Sequence, residues 1–220
     1  MKILITGGSK GLGLEMVKKL SQNQDHDIFT TYNNTYPSEL ENIKNVSLIK
    51  INFRYKKFPT DFNHIDCLIN NYHSGYSFKH LSKFTTKEIE ESFLNSVSPL
   101  IDLNNFFISK MKEKRNGIII SILSSSTQPP FKLGMGIYTA EKIYLKTLTE
   151  FWKLELERYG IKIINVSPGL IKTTFNSSMD KRIIENMEKK GEISKLDNVV
   201  NLIIKIIKNP LKYSKKENYI

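Results

Sequence analysis

Tyr138 and Lys142 form the pair of side chains in this sequence whose types and spacing best suit acid–base chemistry. If this segment is helical, residues four apart lie on the same face, one turn from each other. A phenol is a poor acid near neutral pH, but a lysine ammonium within a few ångströms favours the phenolate and makes proton exchange feasible. The same spacing is common on solvated helix faces, so the assignment depends on the rest of the chain.

A glycine-rich segment, residues 6–13 with the sequence Thr-Gly-Gly-Ser-Lys-Gly-Leu-Gly, directly follows the first strand-like run and precedes a predicted helix. Glycines let the backbone turn tightly and approach a pyrophosphate, and a helix start offers free N–H groups and a favourable dipole to anionic oxygens. The segment therefore predicts a dinucleotide site. It lacks the Gly-Lys-Ser/Thr ending of a phosphate loop, which disfavours a P-loop nucleotidase.

The end of the second predicted strand indicates which dinucleotide the site prefers. An acidic residue at that point would bind the ribose hydroxyls and exclude a 2′-phosphate, but residues 30–34 read Thr-Thr-Tyr-Asn-Asn. Lys10, inside the glycine-rich segment, can pair with a 2′-phosphate. We therefore expect NADP as the cofactor, with NAD as the less favoured alternative.

Short apolar runs alternate with longer segments of helical period, which predicts an α/β fold with helices on both faces of a parallel sheet. Predicted strands lie at 2–6, 27–32, 47–53, 65–70, 117–123 and 162–166. Predicted helices lie at 12–21, 86–114, 137–159, 181–190 and 197–208. The connections at 37–45 and 54–64 leave room only for short or irregular crossovers.

The bulk composition is that of a soluble globular protein forming one domain over residues 1–220, with 40% hydrophobic and 25% charged residues. No apolar run reaches the length of a membrane span and no signal peptide is evident, so we expect a cytoplasmic location and no membrane partner. The net charge of +11 comes from lysines scattered among acidic residues, which argues against a nucleic-acid partner. We expect no metal ion, and we expect Cys67 to be a buried structural thiol.

Four signals occur in an order that resembles the short-chain dehydrogenase/reductase family: residues 6–13, Asn70-Asn71, residues 138–142, and Pro168-Gly169 followed by Thr173. The resemblance covers nearly the whole chain. It implies a Rossmann-type, doubly wound parallel sheet of about seven strands that binds a nicotinamide cofactor. The implied activity is NADP-dependent hydride transfer between the nicotinamide and a small-molecule carbonyl or alcohol.

The same resemblance implies catalytic roles for four residues. Tyr138 would be the general acid or base, and Lys142 would lower the pKa of the phenol and bind the nicotinamide ribose. Ser124 would polarise the substrate carbonyl, with Ser125 left open as the alternative because three serines are consecutive. Asn95 would complete a tetrad through a water-linked proton relay, although a helical asparagine can equally bond locally.

The resemblance also implies a set of cofactor contacts along the chain. These residues are Gly7, Ser9, Lys10, Gly11, Leu12, Gly13, Asn33, Asn52, Phe53, Asn70, Tyr138, Lys142, Pro168, Gly169, Ile171 and Thr173. Substrate-binding insertions are expected near 73–84, 127–136 and 170–190. By the same resemblance, we expect a homodimer or homotetramer.

Two features depart from the family pattern. Tyr72-His73 follows the two asparagines where the family usually continues Ala-Gly, and His73 could be a substrate contact or incidental. Residues 213–220 lack the Asp-Gly-Gly ending of the family, which puts the last strand in doubt. These departures keep open a second hypothesis, a catalytically idle NADP-binding protein that acts through protein contacts.

Overall fold

The computed structural model describes residues 1–55, 62, 64–176, 179–215 and 218–220. Over these residues the chain forms a seven-stranded, entirely parallel sheet, with strand order β3-β2-β1-β4-β5-β6-β7. The strands are β1 Lys2–Ile5, β2 Asp27–Tyr32, β3 Val46–Lys50, β4 Cys67–Asn70, β5 Gly117–Ile122, β6 Ile161–Ser167 and β7 Asn218–Tyr219. The helices are α1 Gly11–Leu20, α2 Thr86–Ser96, α3 Ser98–Lys114, α4 Gly136–Leu156, α5 Lys181–Lys189, α6 Leu196–Lys208 and α7 Pro210–Ser214.

The strand order confirms the predicted doubly wound fold. Strand β1 pairs with β2 on one side and β4 on the other, so the chain changes direction across the sheet at β1. Connections leaving β1 and β4 therefore diverge to opposite faces, which opens a crevice at their carboxyl ends.

The hydrophobic core lies on both faces of the sheet because successive strand side chains alternate in direction. Ile3 and Ile5 of β1 pack in one cluster with residues of α1 and α6. Leu4, between them, belongs to a second cluster with Phe107 and Met111 of α3. Cys67 is fully buried in the first of these clusters, as expected, and burial raises the pKa of its thiol.

The helix predicted at 86–114 is wrong in one respect, because it is two helices separated at Val97. Pro99 has no N–H to donate to the carbonyl of Asn95 four residues earlier, so a continuous helix would lose that hydrogen bond. The predicted N-terminus is confirmed. Thr85 accepts a hydrogen bond from the Glu88 N–H, and the Glu88 carboxylate accepts one from the Thr85 N–H.

The connections and the C-terminus complete the sheet. Between β2 and β3 there is only one short turn of 3₁₀ helix, Ser38–Leu40, as predicted. Most of the second short connection, at 54–64, lies outside the described residues. The doubt about the last strand is removed, because Asn218 and Tyr219 pair with Val166 and Ser167 of β6. In the described ranges, every helix is too short or too polar to cross a membrane.

Candidate active site

The glycine-rich segment forms a tight loop between β1 and α1. Gly7 adopts φ +70° and Gly11 adopts φ +56°, backbone conformations that favour glycine. The Gly7 N–H donates to the Thr31 hydroxyl of β2 (2.9 Å), and the Thr6 hydroxyl accepts the N–H groups of Asn71 and Tyr72 (both 2.9 Å). The loop is therefore fixed by both strands that flank β1.

Gly13 brings the first turn of α1 against this loop. A Cβ at Gly13 would lie 2.1 Å from the carbonyl oxygen of Gly7, so only glycine fits without movement. The Asn71 side chain bridges the turn, donating to the carbonyls of Thr6 (3.0 Å) and Gly7 (3.1 Å). In the described structure no side chain caps the N-terminus of α1, where Lys10 is the residue before the helix. This arrangement suits a pyrophosphate, which needs free N–H groups and close approach of the backbone.

A cavity of about 330 Å³ runs from the glycine loop along the carboxyl ends of the strands. Most of the residues predicted for cofactor binding or catalysis line it. They are Gly7, Ser9, Lys10, Gly11, Leu12, Gly13, Asn33, Phe53, Ser124, Tyr138, Lys142, Pro168, Gly169, Ile171 and Thr173. One continuous space thus joins the glycine-rich loop to the Tyr138–Lys142 pair.

Three of the predicted residues do not line this cavity: Asn52, Asn70 and Asn95. The structure describes all of the predicted residues. Ile51 and Phe53 line it, whereas the side chain of Asn52 accepts the Arg54 N–H (3.0 Å) and closes a turn. Asn70 is buried and donates to the Asn104 side chain (3.0 Å), so it ties β4 to α3. Asn95 is half-buried near the end of α2.

Ser124 and Tyr138 face one another in the cavity. Ser124 directly follows Leu123 beyond the end of β5, and Tyr138 lies in the first turn of α4. Burial raises the pKa of the Tyr138 phenol, and the Ser124 hydroxyl partly offsets this by hydrogen bonding that favours the phenolate. Ser125 also lines the cavity, but Ser124 is the serine whose hydroxyl lowers the pKa of the Tyr138 phenol by hydrogen bonding.

Lys142 lies beneath Tyr138 and is almost completely buried. Its Nζ donates to the carbonyl of Ile122 in β5 (2.8 Å) and is 5.7 Å from the centre of the Tyr138 ring. Burial lowers the pKa of Lys142 to about 8. We expected Lys142 to lower the pKa of Tyr138, but the pKa of Tyr138 is raised. Burial outweighs the other influences on both side chains, since it raises the pKa of the phenol and lowers that of the lysine.

Three aromatic side chains lie close to the Tyr138 ring. The ring centres of Tyr76 and His73 are both 5.0 Å from that of Tyr138, and the centre of Phe175 is 6.3 Å away. The Tyr76 hydroxyl donates to Asn176 (3.0 Å). Tyr76 and Phe175 come from two of the segments predicted as substrate-binding insertions, and Met135 of the third also lines the cavity. This end of the cavity is apolar and aromatic.

The charged groups that line the cavity in the described structure are cationic. They are the side chains of Lys10, Lys132 and Lys142, and the described lining contains no carboxylate. Lys132 is paired with Glu192 (2.5 Å), whereas Lys10 is exposed at the mouth of the glycine loop. The site is therefore suited to an anionic ligand at the loop end.

Sequence reasoning missed two groups of residues around this site. Asn71 was part of a recognised motif, but its hold on the glycine loop depends on the contact between β1 and β4. The side chain of His73 is buried, and its Nε2 lies 3.1 Å from the carboxylate of Glu141. The sequence signal that could have indicated the contact between His73 and Glu141 is the position of Glu141, an acidic residue between Tyr138 and Lys142.

Comparisons with known proteins agree with this geometry. A family model described as short chain dehydrogenase matches residues 1–183. Sorbitol-6-phosphate 2-dehydrogenase of Klebsiella pneumoniae is 26% identical over 188 residues, covering 78% of this chain and 69% of that protein.

Two solved structures share the fold over the full length of the chain. A closed form of serine dehydrogenase complexed with NADP⁺ has a TM-score of 0.83 at 20% identity, covering 100% of this chain and 94% of that one. A 4-hydroxyisoleucine dehydrogenase complexed with NADH has a TM-score of 0.86 at 16% identity, covering 100% and 96%. At these identities the structures show the fold alone.

Proposed function

The chain belongs to the short-chain dehydrogenase family and is an oxidoreductase of that family, and on this premise we propose that it is an NADP-dependent carbonyl reductase or alcohol dehydrogenase. The observation that carries the proposal is the placement of Ser124, Tyr138 and Lys142 in the same cavity as the glycine loop. A solvated helix face would not bury Lys142 or set a serine against the phenol. This placement supports the proposal that the pair, which was ambiguous in sequence, forms the reacting end of a site whose other end holds the cofactor.

The cofactor end fits a dinucleotide. The backbone of residues 7–13 and the uncapped start of α1 would hold the pyrophosphate, and Gly13 leaves no room for a larger residue. When bound, a nicotinamide cofactor supplies a hydride to a carbonyl carbon or accepts one from an alcohol carbon. The protein's own part is to bind, orient and transfer protons.

At the reacting end we assign the proton to the Tyr138 hydroxyl. Ser124 would donate a hydrogen bond to the substrate oxygen, and Tyr138 would give its proton to the same oxygen as a carbonyl is reduced. Burial raises the pKa of the Tyr138 phenol, so at neutral pH its hydroxyl carries the proton that reduction of a carbonyl requires. The ammonium of Lys142, held by the Ile122 carbonyl, would favour the phenolate that remains.

The preference for NADP over NAD rests on the charges at the adenosine end. Tyr32, Asn33 and Asn34 line the cavity there, and the described lining has no carboxylate to repel a 2′-phosphate. Lys10 is free of a described ion pair and exposed beside this region. Of the two similar structures, one is complexed with NADP⁺ and one with NADH, so the preference is argued from this chain's own residues.

The substrate we infer is a small, uncharged carbonyl compound or alcohol with an apolar or aromatic body. Tyr76, Met135, Phe175 and Met187 line the part of the cavity next to Tyr138. Lys132, which also lines the cavity, is already paired with Glu192. Of the described lysines that line the cavity, Lys10 lies at the glycine loop and Lys132 is paired, which leaves Lys142 as the cation next to Tyr138 for a substrate carboxylate or phosphate. We also retain the proposal of a homodimer or homotetramer formed through the long helices α3 and α4.

The test is NADPH oxidation across a panel of aliphatic and aromatic aldehydes and ketones, with Tyr138→Phe as the matched variant. We expect turnover by the wild type, a loss of at least about a hundredfold in kcat for Tyr138→Phe, and similar NADPH binding by both. Stoichiometric NADPH binding without turnover of any carbonyl would instead support the catalytically idle alternative.

A further inference from the structure

Tyr76 joins two of the segments that border the cavity. Its hydroxyl donates a hydrogen bond to the side-chain oxygen of Asn176 (3.0 Å). Tyr76 lies in the segment after β4 and Asn176 in the segment after β6, so the hydrogen bond connects residues 100 positions apart in the chain. Both residues line the cavity. The two segments are therefore tied together at the cavity wall.

Asn176 is itself fixed through both ends of its side-chain amide. The nitrogen donates to the carbonyl of Ile171 (2.7 Å), while the oxygen accepts the hydrogen bond from Tyr76. Asn176 is 8% exposed, so losing either hydrogen bond would leave buried polar groups without a partner, which is costly. The Tyr76 ring is thus held in position by an anchored hydrogen bond as well as by packing.

The Tyr76 ring packs directly against Tyr138 and Phe175. The ring centre of Tyr76 is 5.0 Å from that of Tyr138 and 5.4 Å from that of Phe175, and the last two centres are 6.3 Å apart. A planar group inserted between two rings needs about 3.5 Å on each of its faces, or about 7 Å in all. All three separations are shorter than this. A planar group therefore does not fit between these rings unless one of them moves.

His73 adds a fourth ring to this cluster. Its ring centre lies 5.0 Å from that of Tyr138 and 5.8 Å from that of Phe175, and its Nε2 lies 3.1 Å from the carboxylate of Glu141. Protein side chains from two segments thus fill the space beside the Tyr138 ring. This filling limits the width of any group that can reach the Tyr138 hydroxyl.

Tyr76 is the member of the cluster that can be changed with the least effect elsewhere. His73 contacts the buried Glu141, and Phe175 lies in the same segment as Thr173, whose side chain faces Gly11 of the glycine loop. The described hydrogen bond of the Tyr76 side chain instead goes to Asn176. A substitution of Tyr76 therefore alters the reacting end and leaves the contacts of the glycine loop in place.

We propose that Tyr76, held by Asn176, limits the width of the substrate at the reacting end, so that the site accepts a carbonyl compound whose body is no wider than one ring and rejects fused ring systems. The role of Tyr76 in selecting a reacting substrate rests on the proposed function. The width limit itself is a property of the cavity, and it can be measured with ligands that do not react.

The direct test compares two alcohols that differ in width. Benzyl alcohol has one ring and 2-naphthalenemethanol has two fused rings, and neither reacts with NADPH because both partners are already reduced. Their dissociation constants are measured by saturation-transfer NMR with NADPH present, for the wild type and for Tyr76→Ala.

We expect the wild type to bind benzyl alcohol at least about tenfold more tightly than 2-naphthalenemethanol, although the larger ring system has more apolar area to bury. Tyr76→Ala should lose this preference, because the methyl group leaves room for the second ring. The proposal is overturned if the ratio of the two dissociation constants is the same in both proteins, or if neither protein binds either alcohol.

Two further substitutions of Tyr76 separate the ring from its hydrogen bond. Tyr76→Leu covers the case in which Tyr76→Ala does not fold, and it should move the ratio in the same direction by at least about threefold. Tyr76→Phe keeps the ring but loses the hydrogen bond to Asn176, so part of the preference for benzyl alcohol should be lost. An unchanged ratio in Tyr76→Leu contradicts the width limit, and an unchanged ratio in Tyr76→Phe contradicts the role of Asn176.

Phe131→Ala is the matched control for general loosening of the structure. Phe131 is an exposed aromatic residue of the 127–136 segment and does not line the cavity. Its replacement should leave the ratio of the two dissociation constants as in the wild type. Equal shifts of the ratio in Phe131→Ala and Tyr76→Ala would contradict a specific role for Tyr76.

Kinetics apply the same comparison to the reaction. In Tyr76→Ala, kcat/KM for 2-naphthaldehyde relative to benzaldehyde should rise about tenfold or more. The KM for NADPH should change little, because Thr31 and Asn71 hold the glycine loop. An unchanged ratio of kcat/KM would contradict the proposal.

The outcomes separate this proposal from the proposed function. If no carbonyl is reduced but Tyr76→Ala loses the preference for benzyl alcohol, the width limit stands and the activity is wrong. If Tyr138-dependent reduction occurs but neither ratio changes in Tyr76→Ala, the activity stands and the role of Tyr76 is wrong.

Discussion

Replacing Gly13 with alanine should damage the cofactor site through a single methyl group. The new Cβ would lie 2.1 Å from the Gly7 carbonyl oxygen and 2.8 Å from the side-chain nitrogen, Nδ2, of Asn71. Because real Cβ contacts essentially never fall below 3.0 Å, α1 and the loop must separate by about 0.9 Å, the difference between 3.0 and 2.1 Å. Overpacking of this kind costs about 1–3 kcal/mol, and the better helix propensity of alanine returns about 1 kcal/mol.

The net expectation for Gly13→Ala is a destabilisation of about 0–2 kcal/mol, which lowers the Tm of a domain of this size by up to about 8 °C. Because the displaced groups are the ones that would hold the pyrophosphate, NADPH binding should weaken by about tenfold or more. The assays are thermal unfolding and NADPH fluorescence titration. Gly136→Ala is the matched control, since its Cβ would meet nothing closer than 3.5 Å at the first residue of α4, outside the cavity.

Gly136→Ala should leave the Tm and the NADPH affinity unchanged or slightly improved. The reasoning is refuted if Gly13→Ala binds NADPH within about twofold of the wild type and unfolds at the same temperature. That result would mean that the contact between the loop and α1 does not shape the cofactor site.

Three further predictions concern single residues in the cavity. Ser124→Ala should reduce kcat by about a hundredfold and Ser125→Ala by less than about threefold, because Ser124 acts on the phenol; equal losses would contradict this assignment. Asn33→Asp should shift the ratio of NADPH to NADH affinity by about tenfold towards NADH, measured by fluorescence titration, because a carboxylate there repels a 2′-phosphate; an unchanged ratio would show that this position does not contact the adenosine ribose. Lys142→Met should unfold at higher denaturant than the wild type at pH 7, and the advantage should vanish by about pH 10.5. The reason is that burial lowers the pKa of Lys142 from 10.5 to about 8 in the folded protein. Between these two pH values the unfolded chain binds more protons than the folded protein, so the stability of the wild type rises with pH. A stability difference between Lys142→Met and the wild type that stays constant from pH 7 to about pH 10.5 would contradict this prediction.

The fold was predictable because its signals are local and repeated along the chain. Apolar runs with β-branched residues marked the strands, and the order of the glycine loop and later motifs indicated the doubly wound sheet. The break at Val97 was also accessible in principle, since Pro99 removes a helical hydrogen bond, but the helical period continues across it. Strand β7 was put in doubt because residues 213–220 lack the Asp-Gly-Gly ending of the family. The strand has only two residues and its pairing with β6 is a long-range contact, so the local pattern could not remove that doubt.

The residues that line the candidate site were predictable where residue type and position in an element place them at the carboxyl edge of the sheet. Glycines 7, 11 and 13 fall into this class, as do Ser124 and Tyr138 at the ends of their elements. The direction of the Tyr138 pKa did not follow from spacing, because it depends on burial by side chains far apart in sequence. The pairing of His73 with Glu141 was likewise hidden, since it joins residues 68 positions apart.

The central claim is that NADPH transfers a hydride to a substrate carbonyl and Tyr138 donates the proton to the carbonyl oxygen. Its most direct measurement is deuterium transfer from NADPH labelled at the reactive C4 position to the alcohol product, followed by mass spectrometry for the wild type and Tyr138→Phe. The account predicts one deuterium per product molecule on the former carbonyl carbon with the wild type, and a rate at least about a hundredfold lower with Tyr138→Phe despite similar NADPH binding. Equal rates of labelled product for the two proteins, or no labelled product from any carbonyl in the panel, would contradict it.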